Sequence, residues 1–222
     1  MPPIHTESDW PGETPDGVTI DRPVDLGEVR KSLRVEPADI LLARRFVIVE
    51  GESDKAVLTT WAMALGLDLR SAGIQLVPCG GYAPAEQVTR FLKLAYEGAE
   101  FVVVLDNGSD SARAIREIDA KHGDRVDTVL LNQSAIEAYY HPQAIAAWLR
   151  LHGAPGDNLE QSVEDTLART ASRWKALDAL SKEYLGRPFE KLKDGMAIAN
   201  LTPEHRIDPE IRALLLRIGR DE

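Results

Sequence analysis

Short apolar runs alternate with segments of helical periodicity from about residue 45 onward. The apolar runs lie at 46–49, 74–77, 101–105 and 127–131. Between the first two runs, apolar residues recur every three or four positions, as in a helix that covers one face of a sheet. This stripe consists of Val57, Leu58, Trp61, Ala62 and Leu65. Strands that alternate with such helices are typical of parallel sheets, so the pattern predicts an open α/β sheet of about four strands.

Residues that favour helix ends mark the limits of the helical segments. Gly66 is placed to end the first helix, and Pro84 is placed where the second can begin. A third helix is expected around residues 111–120. Beyond His141 the chain is predicted to be helical throughout, with helices at 143–151, 159–184 with breaks, 189–201 and 209–218. The sheet is therefore followed by a helical appendage.

The first 40 residues differ from the rest of the chain. They are rich in proline and acidic residues, and only residues 17–20 suggest a short strand. We interpret residues 1–40 as an N-terminal tail or the remnant of a preceding domain. The whole chain has 222 residues, of which 44% are hydrophobic, enough for one sizeable core with a small appendage.

Charge and cysteine content limit the classes of function. The formal net charge of -10 argues against broad electrostatic binding to phosphate backbones. It does not exclude a nucleic-acid enzyme, because an acidic site that has bound divalent cations attracts phosphate. The single cysteine, Cys79, fits a reducing compartment and is interpreted as a packed thiol at a strand end. No apolar run is long enough to span a membrane, so we expect a cytoplasmic protein.

Acidic residues follow three of the four predicted strands. Glu50 and Asp54 follow the first strand, Asp106 and Asp110 the third, and Glu137 the fourth. Because the carboxyl ends of parallel strands meet at one edge of a sheet, these acids are expected to converge there. Hard oxygen ligands of this kind favour Mg²⁺, Mn²⁺ or Ca²⁺. An acid taken alone can also be an ordinary helix N-terminal residue, and this alternative is strongest for Glu52 and Asp110. It is weaker for Glu50 and Asp106, because a buried strand end is a costly place for an unpaired charge.

Three segments resemble the acidic blocks of a toprim domain, and they follow one another in the same order as in that family. They read Val49-Glu50-Gly51-Glu52-Ser53-Asp54, Val103-Val104-Leu105-Asp106-Asn107 and Ser134-Ala135-Ile136-Glu137-Ala138-Tyr139-Tyr140. The closest likeness is to the overcoming-lysogenisation-defect (OLD) nucleases, in which an ATPase precedes the toprim domain. The resemblance places a toprim domain at residues 41–142 and a helical extension at residues 143–222.

The resemblance implies a metal-dependent endonuclease that cleaves DNA with two Mg²⁺ or Mn²⁺ ions, for which Ca²⁺ is a non-catalytic substitute. It implies that Glu50, Asp54 and Asp106 bind metal and that Glu137 completes the shell of the second ion. Glu50 is also the candidate general base. The family has a lysine that stabilises charge on the phosphate or the leaving group, and Lys191 is the first candidate for it and Lys193 the second. The expected partners are DNA, an ATPase in cis or in trans and a second copy of the chain.

One position departs from the family pattern. Toprim domains usually read Asp-x-Asp after the third strand, but this chain has Asp106-Asn107-Gly108. Either Asp110 supplies the missing oxygen, or the second ion is held more weakly and cleavage is slow or absent. Two alternatives to a nuclease therefore stay open: a degenerate toprim module that binds metal or a partner without cutting, and another toprim chemistry such as priming.

Overall fold

The computed structural model describes residues 43–220, so the strand expected at residues 17–20 lies outside the described residues. The described chain contains four strands and eight α-helices. The strands are β1 (Arg45–Val49), β2 (Ile74–Pro78), β3 (Glu100–Leu105) and β4 (Val126–Leu130). The helices are α1 (Glu52–Ala64), α2 (Ala85–Ala95), α3 (Ser109–His122), α4 (Pro142–Leu151), α5 (Leu159–Arg169), α6 (Arg173–Leu185), α7 (Lys191–Asn200) and α8 (Pro209–Ile218). Short 3-10 helices lie at Ile136–Tyr139 and Glu204–Arg206.

The four strands form one fully parallel sheet in the order β2-β1-β3-β4. The two central strands are buried along almost their whole length, which explains why they read as continuous apolar runs instead of alternating ones. Strand β4 pairs with β3 alone and is partly exposed. The predicted open α/β architecture is confirmed.

Each face of the sheet is covered by helices. Helix α1 contacts β1 and β2, while α2 and α3 contact the strands β1, β3 and β4. Val47 and Val49 point into the core shared with α1 and the C-terminal helices. The stripe expected on α1 is buried there, apart from its last member, Leu65, which is partly buried.

The C-terminal helices pack against α1 and complete that core. Helix α7 lies along α1, and α8 also contacts α1. Trp61 and Trp148 are fully buried, and Trp61 meets the ring of Tyr140 edge-on at a centroid distance of 6.0 Å. In residues 43–220 no helix is long and apolar enough to span a membrane. The extension expected after the sheet is therefore helical and shares the sheet's core.

The contact between α1 and α7 depends on a glycine. A methyl group at Gly195 would lie 2.5 Å from Tyr140 Oη and 3.8 Å from Val57 Cγ2. We expect Gly195→Ala to lower the free energy of unfolding by about 1–3 kcal/mol through overpacking, although alanine normally stabilises a helix relative to glycine. Urea denaturation measures the change.

Tyr140→Phe provides the control. The Tyr140 hydroxyl is buried and has no hydrogen-bond partner among the described residues, so its removal should cost little or stabilise the protein. In the double variant the methyl group meets the Tyr140 ring carbon Cζ at 3.5 Å and Val57 Cγ2 at 3.8 Å, both ordinary contact distances, and most of the loss should disappear. If the changes in the free energy of unfolding caused by Gly195→Ala and Tyr140→Phe simply add in the double variant, the close contact between position 195 and the Tyr140 hydroxyl is contradicted.

Candidate metal and phosphate site

The ends of β1 and β3 bring two carboxylates side by side. Val49 is in register with Val104, so the residues that follow these strands, Glu50 and Asp106, emerge at the same edge. Glu50 Oε2 is buried and has no hydrogen-bond partner in the described part of the chain. A buried oxygen without a partner is costly, which makes this edge a candidate site for a cation.

Asp54 reaches the same edge from the first turn of α1. The Gly51 N–H donates to Asp54 Oδ2 at 2.7 Å, so the carboxylate caps the helix on which it lies. Asp54 is only 6% exposed. A helix cap explains the position of Asp54, but it does not account for two further carboxylates beside it.

Glu137 and Lys191 complete the cluster from two later segments. Glu137 lies in the 3-10 helix Ile136–Tyr139 and is 0% exposed. Lys191 is the first residue of α7, and its Nζ lies 3.0 Å from Glu137 Oε1. The contact is an ion pair without hydrogen-bond geometry, because neither oxygen of the Glu137 carboxylate has a hydrogen-bond partner within residues 43–220. Glu137, the acid of the third toprim-like segment, is therefore in contact with Lys191, the first candidate lysine.

Lys191 is the cation shared by the whole cluster. Desolvation raises the pKa values of Glu50, Asp54 and Asp106, and the charge of Lys191 opposes this rise, in addition to forming the ion pair with Glu137. The Lys191 side chain is 46% exposed, so one side of the ammonium group faces solvent. We define the acidic cluster as Glu50, Asp54, Asp106 and Glu137.

An ion pair between the half-buried Arg187 and the buried Asp194 fixes the start of α7 and with it Lys191. Arg187 Nη1 and Nη2 each donate to one oxygen of Asp194 at 2.7 Å. The Glu190 N–H donates to Asp194 Oδ2 at 2.8 Å, and Asp194 is 1% exposed. A bidentate arginine contact of this kind restricts orientation as well as distance. Sequence reasoning missed it, because nothing in the spacing of Arg187 and Asp194 distinguishes a buried pair from a solvated helix face.

Burial and mutual repulsion disfavour the ionised carboxylates. Desolvation, followed by repulsion from Asp54 and Glu50, raises the pKa of Asp106 to about 7. Desolvation is also the largest cause of the raised pKa of Glu50, ahead of repulsion from Asp54. Desolvation raises the pKa of Asp54 against the opposing effect of Lys191. The cluster therefore carries more negative charge than one lysine neutralises.

The structure does not bring Asp110 and Lys193 into the acidic cluster. Asp110 pairs with Arg113 at 3.0 Å, and its side chain is 48% exposed. Lys193 Nζ lies 4.0 Å from Glu190 Oε1, and its side chain is 70% exposed. These contacts are those of ordinary exposed helix residues. To bind metal, Asp110 would have to leave Arg113, and to take part in catalysis, Lys193 would have to leave Glu190.

The chemistry of the acidic cluster fits hard divalent cations, although its geometry is not closed around one. Its ligands are carboxylate oxygens, and three of the buried oxygens lack a hydrogen-bond partner among residues 43–220: Glu50 Oε2, Glu137 Oε1 and Glu137 Oε2. No three acidic, histidine or cysteine side chains within these residues are already placed to hold one ion. Metal binding therefore requires the carboxylates to move closer together, which repulsion opposes until a cation is present.

Cys79 lies next to the acidic cluster but is not a nucleophile. Its Sγ is 3.0 Å from the carbonyl oxygen of Gly81 and 3.9 Å from that of Glu50. Burial, followed by repulsion from Glu50, raises the pKa of the Cys79 thiol to about 12. The thiol is thus protonated at neutral pH, in agreement with its interpretation as a packed strand-end residue.

Comparisons with known proteins agree with this architecture. Residues 41–107 match the family model described as overcoming lysogenization defect protein-like, TOPRIM domain. The resemblance to OLD-like toprim domains is therefore confirmed for the segment that contains Glu50, Asp54 and Asp106. The matched segment ends before Glu137 and Lys191. A search of curated proteins found no match.

The fold is also similar to solved structures of OLD proteins. The C-terminal region of the Burkholderia pseudomallei OLD protein is 16% identical, with a TM-score of 0.56, and the match covers 79% of this chain and 96% of that one. The C-terminal region of the Xanthomonas campestris pv. campestris OLD protein is 17% identical, also with a TM-score of 0.56. That match covers 80% of this chain and 94% of the other. At these identities the similarity establishes the fold alone.

The raised pKa of Asp106 predicts a stability effect that depends on pH. Because the folded-state pKa of this acid is higher than its unfolded value, its ionisation opposes folding as pH rises towards 7, and the whole penalty is present above that pH. We expect Asp106→Asn to raise the free energy of unfolding in EDTA. The gain should be larger at pH 8.5 than at pH 5.5 by on the order of 1 kcal/mol. Urea denaturation at the two pH values tests this.

Asp110→Asn is the matched control, since it removes an equivalent charge four residues away. Asp110 is half exposed and paired with Arg113, so its replacement relieves no buried repulsion and should not stabilise the protein. If Asp106→Asn and Asp110→Asn change the free energy of unfolding equally at both pH values, Asp106 does not experience the proposed burial and repulsion.

Proposed function

We propose that this chain is a metal-dependent endonuclease domain that hydrolyses phosphodiester bonds in DNA. The observation that carries the proposal is the arrangement of four carboxylates around a single half-exposed lysine at the carboxyl edge of a parallel sheet. The match of residues 41–107 to OLD-like toprim domains supports the same assignment.

Glu50, Asp54 and Asp106 would hold the first Mg²⁺ or Mn²⁺ ion, with Asp106 and Glu137 available to the second. When bound, such ions activate water and stabilise the departing 3'-oxygen, typically at a separation of about 3.5–4 Å. Ca²⁺ has the same ligand preference and would bind without supporting cleavage. The buried oxygens Glu50 Oε2 and Glu137 Oε2, which have no hydrogen-bond partner among the described residues, support these assignments.

Glu50 is suited to accept a proton from the attacking water. Its raised pKa makes it a better base than an ordinary glutamate. Lys191 has its ammonium at the solvent-facing side of the acidic cluster, where it would offset the negative charge that grows on the phosphate in the transition state. Lys193, which lies away from the acidic cluster, is assigned no catalytic role in this proposal.

A non-catalytic role is the second candidate, and Gly108 favours it. Gly108 replaces the second acid of the family's Asp-x-Asp pattern, and Asp110 is paired with Arg113 instead of filling that place. A second ion would then be bound weakly. The chain would act as a module that binds metal or a partner without cutting. No contact in the described residues favours priming.

The similarity to C-terminal regions of longer OLD proteins supports a partner domain. We assign residues 1–40 to a tail or the remnant of a preceding ATPase domain, residues 41–142 to the toprim domain and residues 143–222 to an extension that carries Lys191. The ATPase would act in cis or in trans, and a homodimer is compatible with this arrangement. Because Lys191 closes the site, the extension is part of the nuclease and not a separate module.

Cleavage of plasmid DNA in the presence of Mn²⁺ or Mg²⁺ tests the proposal. We expect Glu50→Gln and Asp106→Asn to reduce the cleavage rate at least about 100-fold, because each removes a metal ligand or the base. Lys191→Met should cause a loss of similar size through lost charge stabilisation. Rates are compared at equal concentrations of folded protein.

Lys193→Met serves as the matched control on the same helix, two residues away. It removes the same charge from an exposed position and should leave the rate within about twofold of wild type. Full activity in the Glu50→Gln or Asp106→Asn protein would exclude this site. No cleavage by the wild type, together with calorimetric binding of Mn²⁺, would favour the non-catalytic role.

Gly108→Asp separates the two candidate functions. Gly108 has an extended backbone at φ -164°, and a methyl group there would meet Ser111 Oγ at an ordinary 3.6 Å. Since Gly108 is the N-cap of α3, aspartate should also stabilise the helix. We expect the added carboxylate to raise Mn²⁺ affinity about tenfold, because affinity follows the charge of the ligand set, and to accelerate cleavage.

Gly108→Asn is the control, because asparagine caps a helix about as well as aspartate but adds no charge. It should stabilise α3 without changing Mn²⁺ affinity, which calorimetry measures. If both variants bind Mn²⁺ as weakly as the wild type, position 108 does not supply the missing ligand.

A further inference from the structure

The beginning of α8 is bonded to the loop that carries Glu137. Tyr139 Oη donates to Glu210 Oε2 at 2.6 Å, and the Asn132 N–H donates to Glu210 Oε1 at 2.9 Å. Each oxygen of the Glu210 carboxylate therefore accepts one hydrogen bond from a segment more than 70 residues earlier in the chain. Glu210 thus bridges Asn132, just after β4, and Tyr139, the last residue of the 3-10 helix that carries Glu137.

The same segment is bonded to the residue that follows Asp106. The Gln133 N–H donates to Tyr139 Oη at 3.1 Å, and the Asn107 N–H donates to the Gln133 carbonyl at 2.7 Å. Asn107 Nδ2 also donates to the Asn132 carbonyl at 3.1 Å. A continuous chain of hydrogen bonds therefore runs from Glu210 to the neighbours of Asp106 and Glu137.

Helix α8 is held firmly enough to act as an anchor. Asp208 Oδ1 accepts from the Glu210 N–H at 2.9 Å and so caps the helix that Pro209 opens. At the other end, the Arg45 guanidinium donates to the carbonyl oxygen of Ile218. The Glu210 side chain does not cap its own helix, because Asp208 already does so. The Glu210 carboxylate instead accepts its two hydrogen bonds from Asn132 and Tyr139, on either side of Glu137 in the sequence.

We propose that Glu210 is a positioning residue that, through Tyr139, sets the separation between Glu137 and Asp106 for metal binding. The proposal rests on the proposed function, since it assigns Glu210 an effect on the same metal site. Glu210 does not contact the metal or the substrate. It lies outside residues 41–107, the segment matched to the toprim family.

The geometry distinguishes a carboxylate from an amide at this position. Both neighbours of Glu210 are donors, the Tyr139 hydroxyl and the Asn132 N–H. A glutamine has a single neutral acceptor, its carbonyl oxygen, and must turn its NH₂ group towards one of them, so Glu210→Gln removes the charged acceptor from one arm of the bridge and reverses or loses that hydrogen bond without a change in size. Tyr139→Phe removes the hydroxyl that joins Glu210 to Gln133. The two substitutions break the same connection from opposite sides.

The experiment compares Glu210→Gln, Tyr139→Phe and the double variant with wild type. Loss of a partner that orients a metal ligand typically weakens metal binding, and we expect about a tenfold fall in Mn²⁺ affinity by calorimetry. Cleavage should fall at limiting Mn²⁺ and recover at saturating Mn²⁺. The double variant should be no weaker than the weaker single variant, because both residues act through one bridge.

Glu204→Gln is the matched control. It removes a carboxylate six residues before Glu210, one that is 62% exposed and paired with Arg212, and it should bind Mn²⁺ like wild type. Amide hydrogen exchange of residues 131–141 in EDTA gives a readout that needs no metal. Exchange there should be faster in the Glu210 and Tyr139 variants than in the Glu204 variant.

Three results would separate the possible failures. Unchanged Mn²⁺ affinity in correctly folded Glu210 and Tyr139 variants, with wild-type exchange at residues 131–141, would overturn the positioning role. Activity lost only in proportion to unfolded protein would overturn it as well. If the wild type binds no Mn²⁺ and cleaves no DNA, the proposed function fails. In that case amide hydrogen exchange of residues 131–141 alone tests whether Glu210 and Tyr139 hold this segment in place. Faster exchange in the Glu210 and Tyr139 variants would support the bridge, and unchanged exchange would overturn it.

Discussion

Repulsion among carboxylates at one edge of a parallel sheet is the constraint on which the site depends. The strands β1 and β3 are buried and in register, so the residues that follow them cannot avoid one another. Burial raises the pKa values of Glu50, Asp54 and Asp106, and repulsion from neighbouring carboxylates adds to the rise for Glu50 and Asp106. A fold retains such an arrangement only where another charge offsets it, as Lys191 does in part.

The C-terminal helices supply what the sheet lacks. Helix α7 brings Lys191 to the acidic cluster, and the bidentate contact of Arg187 with the buried Asp194 fixes where that helix starts. Helix α8 reaches the loop beside Glu137 through Glu210. The extension therefore neutralises and orients groups delivered by the sheet. This division explains why the site is incomplete within residues 41–107, where the toprim family is matched.

The sheet and the acidic residues could be predicted from sequence because each depends on local pattern. A continuous apolar run followed by Glu50 or Asp106 specifies both a buried strand and the edge at which its carboxylate emerges. Residues 209–218 were predicted to be a helix, and α8 has those bounds. The segment 159–184, predicted to be helical with breaks, consists of two helices, α5 and α6, separated at residues 170–172.

Other features depend on contacts between distant residues and left no local signal. Glu210 and Tyr139 are 71 positions apart, and each alone reads as an ordinary helix or turn residue. The choice between Lys191 and Lys193 depended on which side of α7 faces the sheet, which the helical pattern alone did not determine. The pairing of Asp110 with Arg113 was likewise open, because an acid in the first turn of a helix suits a cap, an ion pair or a metal.

A crystal structure of the protein soaked in Mn²⁺, with anomalous diffraction data, would show whether these carboxylates bind a metal ion. We expect an anomalous peak at the carboxyl edge of the sheet, about 2.0–2.3 Å from oxygens of both Glu50 and Asp106, with Asp54 or Glu137 completing the shell. A peak bound only by other residues, or no peak at saturating Mn²⁺ in crystals that leave this edge open to solvent, would contradict it.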